Sequence, residues 1–222
     1  MKIAACVLTY NAISTNRVDP LKDTLRSLAE CGRVFLFDNG STDGTADLVA
    51  SYGGLLNKTK LHTSGHGTNM CARILAATDA DLCVISDDDM FWDIGWRDKL
   101  DAWWSEAPTD IWVTGGHMEP IYPWNEITGQ VEYGGVKGLL RTSTGAASWT
   151  YRRESTDLIF PIPQQVQGWG DVPACDKIDE AGGKVAQISI ATHAGHGRST
   201  WGNKTEQKYG HDLAPVLALV GQ

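Results

Sequence analysis

Three short apolar runs, Lys2 to Thr9, Val34 to Phe37 and Leu82 to Ile85, each break off into a tight polar cluster, with helically spaced residues between them. Apolar runs this short are buried strands, and strands alternating with helices over so little chain imply a parallel sheet joined by crossover helices. In such a sheet, ligands gather beyond the carboxyl ends of the strands. The clusters Thr9-Tyr10-Asn11, Asp38-Asn39 and Asp87-Asp88-Asp89 all fall there. A polar cap at one strand end is ordinary; the same arrangement at three is the mark of a site.

The remaining elements follow from pattern and punctuation. Asp19-Pro20 opens a helix carried by Leu21, Leu25 and Leu28 and stopped by Gly32, and a second helix starts near Ala46. A weaker strand near Leu61 precedes Gly65-His66-Gly67, and a helix follows from Thr68 to Ala77. Trp96, Leu100, Trp103 and Trp104 mark one side of a helix ending before Pro108, and Ile111 to Val113 is a strand. Residues 117 to 145, rich in Gly, Pro and aromatics, read as an irregular insertion over the sheet edge. Ser148 to Tyr151 is a short strand. Val172 to Ala181 is a helix closed by Gly182-Gly183, the strand Gln187 to Ile190 follows, and Leu213 to Val220 packs back as a short helix.

With 222 residues, 42% of them apolar, the chain suits a single α/β domain, a mostly parallel central sheet flanked by helices. No apolar run approaches the ~20 residues of a membrane span, and the first strand starts without a cleavable leader, so a soluble, cytoplasmic protein is expected. Five scattered cysteines, none in a C-x-x-C arrangement, read as reduced core residues. The net charge of −8 argues against bulk nucleic-acid binding. Local basic clusters at Lys137, Arg141, Arg152 and Arg153, and at Arg198, Lys204 and Lys208, read either as solvated faces or as places for a polyanion.

Consecutive carboxylates repel, and folding alone does not reward their company. A divalent cation does: Asp87 and Asp89, at i and i+2 on extended backbone, can face one Mg²⁺ or Mn²⁺ shared with a diphosphate. The alternative is an acidic turn in which Asp89 caps the next helix. At the other strand ends, Tyr10 can stack on a base and Asp38 can accept from a base or ribose. Arg73, on the helix before the acids, can neutralise phosphate or simply lie on the helix surface.

The ordering Val7-Leu8-Thr9-Tyr10-Asn11, Phe37-Asp38-Asn39-Gly40-Ser41-Thr42-Asp43-Gly44-Thr45 and Ile85-Ser86-Asp87-Asp88-Asp89 resembles the three N-terminal landmarks of GT-A-fold, family-2-like nucleotide-sugar glycosyltransferases. The resemblance implies one domain over residues 1–222, with 1–92 binding the nucleotide-sugar and 93–222 serving acceptor and catalysis. It implies donor contacts from Thr9, Tyr10, Asn11, Asp38, Arg73, Asp87 and Asp88, with Tyr10 and Asp38 on the base. Asp87 and Asp89 would hold Mn²⁺ or Mg²⁺, and Asp88 would be a spacer facing donor sugar or solvent. The family's Ala-Arg-Asn triplet is here Ala72-Arg73-Ile74.

Downstream, Gly168-Trp169-Gly170-Asp171-Val172 is similar to the family's acidic loop, with one acid replaced by Gly170. An inverting enzyme needs a carboxylate to take the acceptor hydroxyl's proton, and Asp171 is the candidate, with helix capping as its other use. Trp169 and Gly170 resemble a mobile tryptophan lid over donor and acceptor. His193 or His196, after the last strand, would complete the metal shell; spacing from Gly183 favours His193.

The expected activity is therefore metal-dependent, inverting transfer from a nucleotide-sugar, most simply a UDP-sugar, to a hydroxyl on a soluble glycan, a small molecule or a hydroxymethylated DNA base. A nucleotidyltransferase is one alternative, although the Gly-rich basic loop it usually carries after the first strand is missing from Thr9 to Ile13. A non-catalytic carbohydrate-binding module is another, which would use the nine tryptophans for ring stacking.

Overall fold

A computed structural model describes residues 1–59, 61–117, 125–163 and 171–193. The chain runs β1 (Ile3–Thr9), α1 (Val18–Ser27), β2 (Arg33–Asp38), α2 (Thr45–Ser51), β3 (Leu55–Leu56), α3 (Ser64–Ala76), β4 (Leu82–Asp87), β5 (Met90–Trp92), α4 (Trp96–Glu106) and β6 (Ile111–His117). It continues through β7 (Ile127–Tyr133), β8 (Val136–Arg141), β9 (Ser148–Arg152), α5 (Thr156–Ile159), α6 (Asp171–Glu180) and β10 (Lys184–His193). The strands form one sheet in the order β3-β2-β1-β4-β9-β6-β10-β8-β7, with β5 added against the end of β10. From the pairings, β3, β2, β1, β4, β6, β10 and β7 run one way, and β9, β8 and β5 run the other.

Side-chain alternation along the central strands builds two cores. Ile3, Ala5 and Val7 of β1 and Leu82 and Val84 of β4 join α1 and α4 on one face. Ala4 and Cys6, with Cys83 and Ile85, join α3, α5 and α6 on the other. Strands covered on both faces must be apolar throughout, which is why these segments read as unbroken runs. All five cysteines are free and buried.

Among the described residues the tryptophans belong mainly to the core. Trp92, Trp96, Trp103, Trp104 and Trp149 are fully buried. Each indole N–H has a partner within 3.2 Å: Ser86 Oγ, Ser27 O, Thr114 Oγ1, Thr150 Oγ1 and Thr144 O respectively. A buried indole requires such an acceptor. Rings committed this way are unavailable as sugar platforms, which removes most of the ground for a binding module.

Three expectations need correction. Gly65-His66-Gly67 lies inside α3, whose N-cap Thr63 accepts from the His66 N–H at 3.1 Å. Gly67 is there because β1 passes close: a Cβ would stand 2.7 Å from Leu8 Cδ1. The third parallel strand is Leu55–Leu56 on β2, and Leu61 is an exposed loop residue. The supposed irregular insertion contains the regular hairpin β7–β8 at the sheet edge, its two-residue turn made by Gly134 (φ 56°) and Gly135 (φ 72°). Tyr133 packs edge-on against Trp103 with ring centres 5.0 Å apart. The tail that includes Leu213 to Val220 lies outside the described residues.

Candidate active site

The first two strand ends are stapled to each other. Asn11 (φ 52°) donates its N–H to Ser41 Oγ at 2.8 Å, and its Oδ1 accepts from the Thr42 N–H at 2.9 Å. Asp43 accepts from the Ser14 N–H at 2.6 Å and the Thr45 N–H at 3.1 Å. Although burial opposes it, hydrogen bonds from the Thr45 side chain and from Ser14, together with the Thr45 N–H, hold the Asp43 carboxyl well below the usual range. Asp38, almost fully buried, turns its own loop by accepting from the N–H groups of Gly40 and Ser41 and from the Ser41 hydroxyl. Tyr10 projects into solvent beside it, its ring near-parallel to His62 with centres 6.3 Å apart.

The three acids have different surroundings. Asp88, expected to face donor or solvent, is instead fully buried: it accepts from the Thr9 hydroxyl and pairs with Arg17 at 2.7 Å. Arg17 also donates to the Tyr10 carbonyl at 2.6 Å, tying the first loop to the acids. Thr9 is buried with Asp88, so both hold structure where direct donor contacts were expected. Burial pushes Asp88 up to about 6 against the pull of Arg17 and Thr9. Asp87 is pushed up to about 7, first by burial and then by the charges of Asp89 and Asp88.

No helix follows Asp89 directly. The chain turns into β5, which pairs antiparallel with β10 and sets Met90 opposite His193. That register brings His193 Nε2 to 3.4 Å from Asp89 Oδ1. His117, at the end of β6 beside Ala191, lies with its ring centre 6.3 Å from that of His193, and its Nδ1 meets Ser148 Oγ at 2.6 Å. Asp171 is the first residue of α6, and its Oδ1 is 3.2 Å from the Val172 N–H. It is close enough to Asp87 for its charge to raise that carboxyl. Asp171 is itself raised by burial, against hydrogen bonds from the backbone.

Arg73 is not gathered in. It is exposed in the last turn of α3, nine residues beyond Ser64, or about 13 Å along the axis at 1.5 Å per residue. Among the described residues no hydrogen bond or ion pair joins it to the acids. Trp169, Gly170 and His196 lie outside the described residues, as do Arg198, Lys204 and Lys208. Arg17 and His117 were not expected as parts of the site. Arg17 sits in an unpatterned loop, whereas the pair Gly115-Gly116 before His117 was a usable sign of a strand end under close packing.

Of the remaining basic cluster, Lys137 and Arg153 are exposed and Arg152 is half-buried. Arg141 is buried and donates to the Asn125 carbonyl at 2.9 Å, and Arg153 donates to the Ala80 carbonyl at 2.8 Å. Arg152 caps the C-terminus of α4 through the carbonyls of Trp104 and Ala107. Among the described residues no three His, Cys, Asp or Glu side chains form a ready cage for a metal. The chemistry of Asp87, Asp89 and His193 nonetheless fits Mg²⁺ or Mn²⁺ held partly by a diphosphate. Such ions keep few protein ligands, and the mutual repulsion raising Asp87 is what a cation relieves.

Residues 5–156 match the model of "Glycosyl transferase family 2". No curated protein sequence matches the chain. Among solved structures, Staphylococcus aureus TarS 1-349 is similar at a TM-score of 0.58 and 18% identity, over 85% of this chain and 58% of that one. The mannosyltransferase PcManGT from Pyrobaculum calidifontis, solved with GDP-Man and Mn²⁺, gives 0.55 and 16% over 98% and 68%. GalNAc-T7, solved with UDP, GalNAc and Mn²⁺, gives 0.58 and 12% over 86% and 43%. This chain therefore spans little more than half of the TarS fragment. At these identities the likeness is one of fold, the GT-A fold with its central mixed sheet between helices. The family match covers more than half of the sequence, and the chain belongs to glycosyl transferase family 2.

Proposed function

We propose that this chain transfers a sugar from a nucleotide-sugar donor to an acceptor hydroxyl, with inversion at the anomeric carbon and with Mn²⁺ or Mg²⁺. The observation that carries the proposal is the convergence of Asp87, the Asp89–His193 pair and Asp171 at one end of the sheet, beside Asp38 and Tyr10. Relatives in fold solved with GDP-Man, UDP and Mn²⁺ support it.

Asp38 and Tyr10 would take the base, and Asp87, Asp89 and His193 would hold the ion. When bound, the ion supplies positive charge to the leaving diphosphate. Asp171 would accept the acceptor's proton as its oxygen attacks. A carboxyl raised toward neutrality is a better base than an ordinary one, provided it is ionised at the working pH. The acceptor is a hydroxyl on a glycan, a small molecule or a hydroxymethylated DNA base; Arg141 and Arg152 are engaged by backbone carbonyls within the fold, while Lys137 and Arg153 remain exposed.

A panel of UDP-, GDP- and CDP-sugars with Mn²⁺ or EDTA, followed by thermal shift and product analysis, tests this. Metal-dependent stabilisation and release of free nucleoside diphosphate with a transferred sugar are expected. Pyrophosphate release would indicate nucleotidyl transfer instead, and no metal-dependent shift with any donor would remove the proposal.

A further inference from the structure

Asn39, next to Asp38, organises a segment that neither the metal nor the acceptor chemistry uses. Its N–H donates to Thr9 O at 2.8 Å, its Nδ2 donates to Thr63 O at 3.1 Å, and its Oδ1 accepts from Asn57 Nδ2 at 3.4 Å. Its carbonyl meets His62 Nδ1 at 3.0 Å. The imidazole lies against Gly40, which has φ 87°; a Cβ there would stand 2.3 Å from Nδ1. His62 is thus seated by a backbone acceptor on one side and a bare glycine beneath. It is exposed, and its plane lies within 21° of that of Tyr10, which is itself 37% exposed.

The hydrogen bond sets the tautomer. A carbonyl can only accept, so Nδ1 carries the proton, and the neutral ring presents Nε2 as an acceptor. Two exposed, near-parallel rings beside a buried carboxylate suit a flat heteroaromatic ring lying on Tyr10 with its edge toward His62. We propose that His62 is a specificity-determining residue that reads the edge of the donor's base, favouring a lactam N–H, as in uracil or guanine, over the N3 lone pair of cytosine. This inference rests on the nucleotide-sugar reading given above.

Titration calorimetry with UDP, GDP and CDP in Mn²⁺ tests it on the intact chain. The wild type is expected to bind UDP or GDP about tenfold more tightly than CDP, the discrimination one well-placed hydrogen bond supplies. His62→Phe keeps a flat ring and removes the acceptor; it should bring the preferred nucleotide down to the CDP level while leaving CDP unchanged. His62→Gln, which restores an acceptor, should recover part of the preference. Circular dichroism and an unchanged melting midpoint establish that the variants fold. An undiminished preference in His62→Phe overturns the inference while leaving the donor reading intact. A wild type that binds none of the three overturns the donor reading itself, and the inference with it.

Discussion

Asp88 and Asp89 are adjacent in the chain and opposite in circumstance. Asp88 is buried on Arg17 and Thr9 and ties the acid turn to the first loop, whereas Asp89 faces His193. Removing Arg17 leaves an uncompensated buried carboxylate, so Arg17→Ala is expected to cost about 3–5 kcal/mol in urea unfolding. Asp89→Asn should leave the fold in place and abolish metal-dependent donor affinity, measured by calorimetry with and without EDTA. Asp171→Asn should do the reverse: donor affinity stays, while transfer falls by about 10²–10⁴, the usual worth of a positioned base. A base works ionised, and burial raises Asp171. Activity should therefore rise with pH through that elevated pKa, placing the acid limb of the profile above the range of an ordinary aspartate; a limb in the ordinary range would count against Asp171 as the base.

At the scale of elements, β5 decides whether the acids meet the imidazole. It is three residues long, and its register with β10 is what carries Asp89 to His193. Besides that ladder and the Trp92 indole on Ser86, it is held at Ser27: the Trp92 N–H donates to Ser27 Oγ at 3.1 Å, and beyond the strand the Trp96 indole donates to Ser27 O at 3.0 Å. Ser27→Ala strands the buried Trp92 N–H, so a loss of about 1–3 kcal/mol in stability is expected, with weaker metal-dependent donor binding. Unchanged stability would show that β5 is held by its pairing with β10 and by packing, without the Ser27 hydroxyl.

The same element shows where sequence reasoning reached and where it stopped. β1, β2 and β4 were legible because both faces are buried and the runs are continuous. The strand-end positions of Asp38 and Asp87 were legible because a polar residue closes each of those runs. Met90-Phe91-Trp92 was not, because three apolar residues before Gly95-Trp96 suit a helix entry as well as a strand, and only pairing with β10 decides. Ile127 to Arg141 hid its hairpin among the glycines of residues 117 to 145, although Gln130 to Tyr133 alternates and Tyr133-Gly134-Gly135-Val136 carried a turn signal. The inward turn of Asp88 depends on Arg17, a partner 71 residues away, which no local pattern shows.

For the whole molecule, the acid cluster is a charge the fold carries at a cost. Asp87 at about 7 and Asp88 at about 6 lie above the ~3.9 of an unfolded aspartate. Between those limits the folded chain binds more protons than the unfolded one, so its stability falls as pH rises through roughly 4 to 7. In EDTA the melting temperature should be higher near pH 5 than near pH 8. Mn²⁺ with a nucleoside diphosphate should restore the difference at pH 8, since a ligand of the folded state adds to its stability. A melting temperature flat across this range would mean that the clustered charges are already compensated.

The staples between the first two loops bear on the timing of recognition. Asn11, Ser41, Asp43 and Asn39 are bonded to their neighbours within the fold itself, so these loops, proposed above to meet the nucleotide, would have little ordering left to do on binding. Encounter there should register as one fast phase with little conformational entropy lost, and any slow step seen in turnover belongs to another part of the chain.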